Sequence, residues 1–422
     1  MIDIFLPIKR PYGTMFKYRV FTGMRHIKSM LPWLYVAFKT FTYVRIFRLI
    51  TINQTKKHLT MEKSPRKLPG TTPDDIIDHI LQYDPEDVST ALKSSSVQPL
   101  FLAPATLPPI PWPKGLAPRP KPLSKTPNPD APLPRADVII VTWTVAEALA
   151  LSDVLTPKRR SKTDWYFYSH NWASIFKPMI HGLAPSLQSN RLGSWFKTQI
   201  GTKSVICFKS ELHFARDGAK MPIKDLWKQL IAEVQPSLII TTGTAGGIGG
   251  NVQLGDVTVS NKVRFDCTRT FKKTPFCSQE FTNKMIPLGK LADANKKLMD
   301  VTTSRLPQST RTSVIVNKTS AKFKTIDVVT TDFFAFDDTT NHFNLQSLGM
   351  AVEMGDATLA LACSELATPP RWLAIRNASD PQIDGTLSQK DQVQMAARIY
   401  EKYGYWTTVN SAIACWAAVA SL

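Results

Sequence analysis

Residues 238 to 256 read Leu238-Ile239-Ile240-Thr241-Thr242-Gly243-Thr244-Ala245-Gly246-Gly247-Ile248-Gly249-Gly250-Asn251-Val252-Gln253-Leu254-Gly255-Asp256. An apolar, β-branched run ends at Thr241 and Thr242. The glycines at 243, 246 and 247 then let the backbone turn tightly and lie against a ligand. The pattern predicts a strand feeding a binding loop. It is neither a Rossmann fingerprint nor a Walker A loop, because no Gly-Lys-Ser/Thr follows and no helical periodicity begins after the glycines. A second strand pattern, starting at Val257, is entered through Gly255-Asp256. By itself such a turn more often serves architecture than binding, so its meaning depends on the rest of the chain.

Two further segments carry polar groups at the ends of apolar runs. Gly349-Met350-Ala351-Val352-Glu353-Met354-Gly355-Asp356-Ala357 sets carboxylates at the mouth of a helix pattern, and Arg376-Asn377-Ala378-Ser379-Asp380 closes the strand pattern Trp372 to Ile375. In an open α/β sheet, ligands sit outside the carboxyl ends of strands, so three such ends can converge on one pocket.

The chain has 422 residues with 43% hydrophobic content, enough for a sizeable core. Of its 31 prolines, 17 fall between residues 61 and 135. That density removes amide donors and favours polyproline II, so this region is expected to be an extended tether. Within it, Thr72 to Leu81 reads as a short helix capped by Thr72, with Pro73 in its first turn, that docks on the domain or pairs with a partner. Residues 1 to 60 hold eleven Lys and Arg against one acid, and so supply +10 of the formal +19 charge. Lys39, Arg45 and Arg48 interrupt the apolar run there, which makes a poor transmembrane span. A basic amphipathic helix at a membrane surface or an organelle-targeting presequence is one reading of this arm. An upstream stretch outside the working protein, with Met61 the effective start, is the other. No nucleic-acid-binding module accompanies the charge. Five cysteines without a C-x-x-C pair and seven histidines without ligand spacing predict free thiols in a reducing, cytoplasmic setting, and neither a metal nor a cofactor.

From residue 136 onward, strand patterns outnumber helix patterns. Strands are expected at Asp137 to Trp143, Trp165 to Tyr168, Ser204 to Phe208, Ser237 to Thr242, Asp256 to Val263, Ser313 to Val316, Val328 to Thr331 and Arg371 to Ile375. Helices are expected at Val145 to Leu155, Ile223 to Val234, Leu288 to Met299, Thr358 to Leu366 and Ser388 to Ala420. The predicted fold class is α/β: a single domain, 136 to 422, with a central mixed β-sheet flanked by helices.

The Gly-Thr-Ala-Gly-Gly…Gly-Asp, Val-Glu-Met and Ser-Asp signatures, in this order and spacing, resemble the nucleoside phosphorylase/nucleosidase superfamily, with the closest likeness to the methylthioadenosine/S-adenosylhomocysteine nucleosidases. The resemblance covers about residues 136 to 420. It implies cleavage of a purine nucleoside's N-glycosidic bond, a small-molecule nucleoside partner and a homo-oligomer. Such cleavage builds positive charge on ribose and negative charge on the base, so an acid near purine N7 is the most useful group. The resemblance gives Asp380 that role, and the apolar strand before it would raise its pKa by desolvation. Without the other motifs, Asp380 would read as a turn residue before Pro381. Glu147 stands where the nucleosidases hold water, although a first-turn carboxylate is also an ordinary helix-dipole residue.

By the same likeness Glu353 and Met354 hold ribose, Phe334 stacks on the base with Phe333 and Phe336 as alternatives, and Thr244, Ala245, Gly246 and Ser379 line sugar and base. Where the family reads Met-Glu-Ala, this chain reads Met354-Gly355-Asp356-Ala357, so either Asp356 replaces that glutamate or the ribose grip is altered. Arg376 braces the carboxylates or meets a 5′ group. Hydrolysis of an adenosine derivative is the leading expectation. Phosphorolysis, nucleotide cleavage served by Arg264, Arg269, Lys272 and Lys273, and non-enzymatic nucleoside binding are the alternatives.

Overall fold

The computed structural model describes residues 73–87, 107–181, 184–284, 314–316 and 327–422. The chain forms two units, Met1–Lys63 and Ser64–Leu422. The basic arm, the Thr72 cap and the helix expected at Leu288 to Met299 lie outside the described residues.

The second unit begins with α1 (Pro73–Gln82), then β1 (Arg119–Pro120), β2 (Val138–Thr142), α2 (Val145–Leu155), β3 (Tyr166–Tyr168), β4 (Gly193–Ile200) and β5 (Lys203–Ser210). It continues through α3 (Pro222–Val234), β6 (Leu238–Gly247), β7 (Val257–Ser260), β8 (Lys262–Asp266), β9 (Glu280–Thr282), β10 (Val314–Val316) and β11 (Val328–Thr331). β12 (Ala351–Glu353), α4 (Asp356–Ser364), β13 (Arg371–Asp380) and α5 (Gln389–Ala420) complete it. All these strands belong to one mixed sheet, in which β6 is the hub: parallel to β2 and β13, antiparallel to β12 at its far end.

β2 explains why the centre of the sheet is apolar on both faces. Ile139 and Val141 point into one core with Leu226, Trp227 and Leu230 of α3 and Leu359 of α4. Val138 and Ile140 point into the other, with Leu149 and Leu151 of α2 and Val409, Ile413 and Trp416 of α5. A strand covered on both faces needs an unbroken run rather than alternation. Its pairing with β5 and β6 fixes where its polar end, Thr142, comes to rest.

Three expectations are revised. The glycine-rich segment is not a loop: β6 continues to Gly247, because β13 runs beside it to Asp380 and supplies ladder partners. The same pairing keeps Asp380 within β13, opposite Gly246. The single strand expected at Asp256 to Val263 breaks at Asn261, where the Ser260 hydroxyl bonds the backbone of Lys262 and the chain changes partner from β13 to β11. The described part of the expected tether is laid on the domain. Its prolines keep it extended, but Trp112 packs on Trp416 with ring centroids 4.9 Å apart, and β1 pairs with β4.

Candidate active site

Four strand ends and three helices meet around one cavity holding about 660 Å³, mouth included. β2 and the first turn of α2 bring Trp143, Thr144 and Glu147; β6 brings Thr244, Ala245 and Gly246; β12 and the turn after it bring Glu353 and Met354; β13 brings Arg376, Ser379 and Asp380.

Glu147 is fixed by its place in the helix. Thr144 caps α2 with extended backbone, its hydroxyl accepting the Glu147 N–H while the Glu147 carboxylate accepts the Thr144 N–H, a capping box. The same oxygen, Oε2, also accepts from the Thr142 hydroxyl at 2.7 Å and the Trp143 N–H at 3.1 Å. Oε1 accepts from the Thr244 N–H and hydroxyl. Burial pushes this carboxyl up, but the Arg376 charge and the bonds from Thr144, Thr244 and Thr142 outweigh it and hold it below its ordinary range. The Glu147 carboxylate thus accepts from five donors. Gly243 makes room for it: at φ +137°, a Cβ there would lie 2.5 Å from the carboxylate.

Arg376 organises the middle of the site. Its guanidinium binds Asp356 through both Nε (2.8 Å) and Nη2, reaches Glu353 at 3.1 Å, and lies 4.8 Å from the Trp143 ring centroid. Glu353 accepts from the Thr330 hydroxyl and from the Asp356 N–H that opens α4. Burial, reinforced by the nearby Asp356 charge and only partly offset by Arg376, raises the Glu353 pKa. Asp356 faces Arg376. It is absent from the cavity lining, and its carboxylate is taken by Arg376. Arg376 is therefore a brace.

Asp380 stands in a different environment. It is buried, and its carboxylate accepts one side-chain hydrogen bond, from the Ser379 hydroxyl at 2.9 Å. Burial raises its pKa to about 6, and only the Ser379 bond opposes this. Gly246 lies alongside, where a Cβ would come within 3.2 Å of Oδ2. Of the three neighbouring phenylalanines, Phe334 lines the cavity, Phe333 packs on Phe343 and Phe336 is core.

Several lining residues carry no signal in the sequence. His213 comes from the loop after β5, Ala396 and Tyr400 from α5, and Ile80 and Leu81 from α1. The Tyr400 hydroxyl lies 2.8 Å from the Thr144 hydroxyl and 3.2 Å from the Ile80 carbonyl. Asp78 binds Arg216, and His79 binds Glu401, so α1 is fastened both to the loop after β5 and to α5. Among the described residues, no three His, Cys, Asp or Glu side chains gather as a metal site would require. Arg264, Arg269, Lys272 and Lys273 do not line the cavity; Arg264 pairs with Glu280.

A methylthioadenosine/S-adenosylhomocysteine nucleosidase from Neisseria meningitidis, solved with methylthio-immucillin-A, is similar at 16% identity and TM-score 0.42, over 68% of this chain and 99% of that one. A futalosine hydrolase from Helicobacter pylori matches at 13% identity and TM-score 0.39, over 68% and 97%. An S-adenosylhomocysteine nucleosidase from Streptococcus pyogenes, in complex with 5-methylthiotubericidin, matches at 14% and 0.41, over 69% and 98%. The family model described as the phosphorylase superfamily matches residues 228–402, a stretch that holds the β6 glycines, Glu353, Arg376 and the Ser379–Asp380 pair but not Glu147. Over these residues the chain is similar to the phosphorylase superfamily.

Proposed function

We propose that the protein hydrolyses the N-glycosidic bond of a purine nucleoside, an adenosine derivative, releasing free base and sugar. The observation that carries this reading is the pairing of two unlike carboxyl groups on one cavity. Asp380 is pushed towards its protonated form, and Glu147 is held ionised. As the C1′–N9 bond breaks, its electron pair passes to the base, and Asp380 donates a proton at N7. Phe334 stacks on the base, with Ala245, Gly246 and Ser379 beside it. Glu353 and the Met354 backbone hold the ribose hydroxyls, and Thr244 lines the sugar. Water adds to C1′, and its proton passes towards the Glu147 carboxylate, whose charge also favours the cationic sugar.

Water suits this lining better than phosphate. Arg376 is the one Lys or Arg among the described lining residues, and Glu353 and Asp356 already hold it. Glu147 adds a further negative charge. The test incubates the full-length protein with a panel of nucleosides and nucleotides, with and without phosphate, and identifies products by mass. Free base and free sugar without added phosphate are expected. Ribose-1-phosphate formed only with phosphate would replace hydrolysis by phosphorolysis, and binding without product would leave a nucleoside-binding protein.

A further inference from the structure

The connection from β8 to β9 carries two of the chain's five cysteines, Cys267 and Cys277. The strands pair Val263 with Phe281 and Arg264 with Glu280, and the register holds beyond them. The Phe265 N–H donates to the Gln279 carbonyl at 3.0 Å, and the Cys267 N–H to the Cys277 carbonyl at 3.0 Å. Cys267 and Cys277 are therefore directly opposed. Opposed residues of an antiparallel pair have Cα atoms about 4.5–5.5 Å apart and side chains on one face. A disulfide spans Cα separations of about 4.4–6.8 Å. Both side chains meet the same core: Cys267 is buried in it with Phe265 and Phe271, and half-buried Cys277 packs against it. The ladder ends here, because the Cys277 N–H turns back to the Thr274 carbonyl at 3.2 Å, so no second rung locks Cys277 to Cys267.

The two thiols differ in access. Cys277 is partly exposed, whereas burial, and then the Asp332 charge, push the Cys267 thiol up. Cys207, Cys363 and Cys415 are each at most 3% exposed, so an oxidant in solution meets Cys277 first. The stretch between the pair cradles Asp332, whose carboxylate accepts from the N–H groups of Thr268 at 2.9 Å, Arg269 at 3.1 Å and Phe271 at 2.8 Å. Asp332 directly follows β11 and stands two residues before Phe334 of the cavity wall.

We propose that Cys267 and Cys277 form a thiol–disulfide site, oxidised by a low-molecular-weight disulfide, whose bond closes the loop that holds Asp332. The site is independent of the reaction proposed above. The Cys277 thiolate attacks the small disulfide, forming a mixed disulfide and releasing one thiol. Cys267, losing its proton to water, then attacks the Cys277 sulfur and expels the second thiol. The two protein thiols lose two electrons, and the small disulfide gains them as it becomes two thiols. The second attack is intramolecular, between opposed residues, which offsets the low thiolate fraction of Cys267.

The test incubates the reduced full-length protein with oxidised glutathione, denatures it in N-ethylmaleimide to cap the remaining thiols, and maps peptides by mass, with and without prior dithiothreitol. A loss of two hydrogens, three capped cysteines of the five, and a peptide joining Cys267 to Cys277 are expected, all reversed by dithiothreitol. Cys267→Ser should instead retain glutathione on Cys277, and Cys277→Ser should take up none. Glutathione persisting on wild-type Cys277, a bond from either cysteine to a different one, or five capped cysteines after oxidation overturns the assignment. Each of these outcomes is read on the wild type, so none depends on a variant folding.

Discussion

The carboxylate of Glu147 accepts two hydrogen bonds from Thr244, one from its backbone N–H at 2.8 Å and one from its hydroxyl at 2.6 Å. This pair joins the first turn of α2 to the strand end of β6, so the two motifs hold each other in place across the cavity. Gly243 is the residue that permits the contact.

Gly243→Ala should therefore affect stability and activity together. The new methyl group meets the Glu147 carboxylate, and φ +137° is foreign to an L side chain. A loss of about 1–3 kcal/mol in denaturant unfolding is expected, with a fall in kcat of at least about tenfold from displacement of the carboxylate. Unchanged kcat in this variant would separate Glu147 from the reaction.

Asp380→Asn should lose activity and gain stability at high pH. Burial raises this carboxyl from 3.8 to about 6, so its protonated form is favoured by folding. The stabilisation is fully present below pH 3.8 and is lost as pH rises through about 6, a swing of roughly 3 kcal/mol. The amide cannot ionise and still accepts the Ser379 bond. Its melting temperature should exceed that of the wild type at pH 8 and match it near pH 4, while kcat falls by about 10²–10⁴.

Arg376→Met removes the partner of two buried carboxylates. A loss of about 3–5 kcal/mol is expected from the charges left behind. Arg376→Lys should recover only part of it, because a point charge cannot reproduce the two-nitrogen grip on Asp356. Equal stability of the Lys variant and wild type in urea unfolding would show that charge alone matters there.

Phe334→Leu and Phe333→Leu should separate binding from packing. If Phe334 stacks on the purine, its loss weakens substrate binding by about 1–3 kcal/mol, seen as a higher KM with little change in kcat. Phe333, packed on Phe343 at 5.3 Å between centroids, should affect melting and leave KM alone.

The groups read from local sequence are those whose neighbours in the chain position them. Thr144 and Glu147 are three residues apart and cap their own helix, and Asp380 ends an apolar run that desolvates it. The pairing of Asp356, at the start of α4, with Arg376 on β13 was not legible, because no local pattern reveals which acid a distant cation will take. β12 escaped notice at three residues long, and β4 because polar residues interrupt its apolar pattern. His213, Tyr400 and Ile80 reach the cavity only through long-range packing, and nothing in their immediate sequence distinguishes them from ordinary core or loop residues.

α1 and α5 lie more than three hundred residues apart at their contact, yet the Ile80 carbonyl and the Tyr400 hydroxyl meet in the cavity wall. This wall is thus assembled from opposite ends of the Ser64–Leu422 unit. A version trimmed back to residue 107 would keep every strand of the sheet but forfeit its threshold, leaving Ala396 and Tyr400 facing solvent and admitting bulkier sugars.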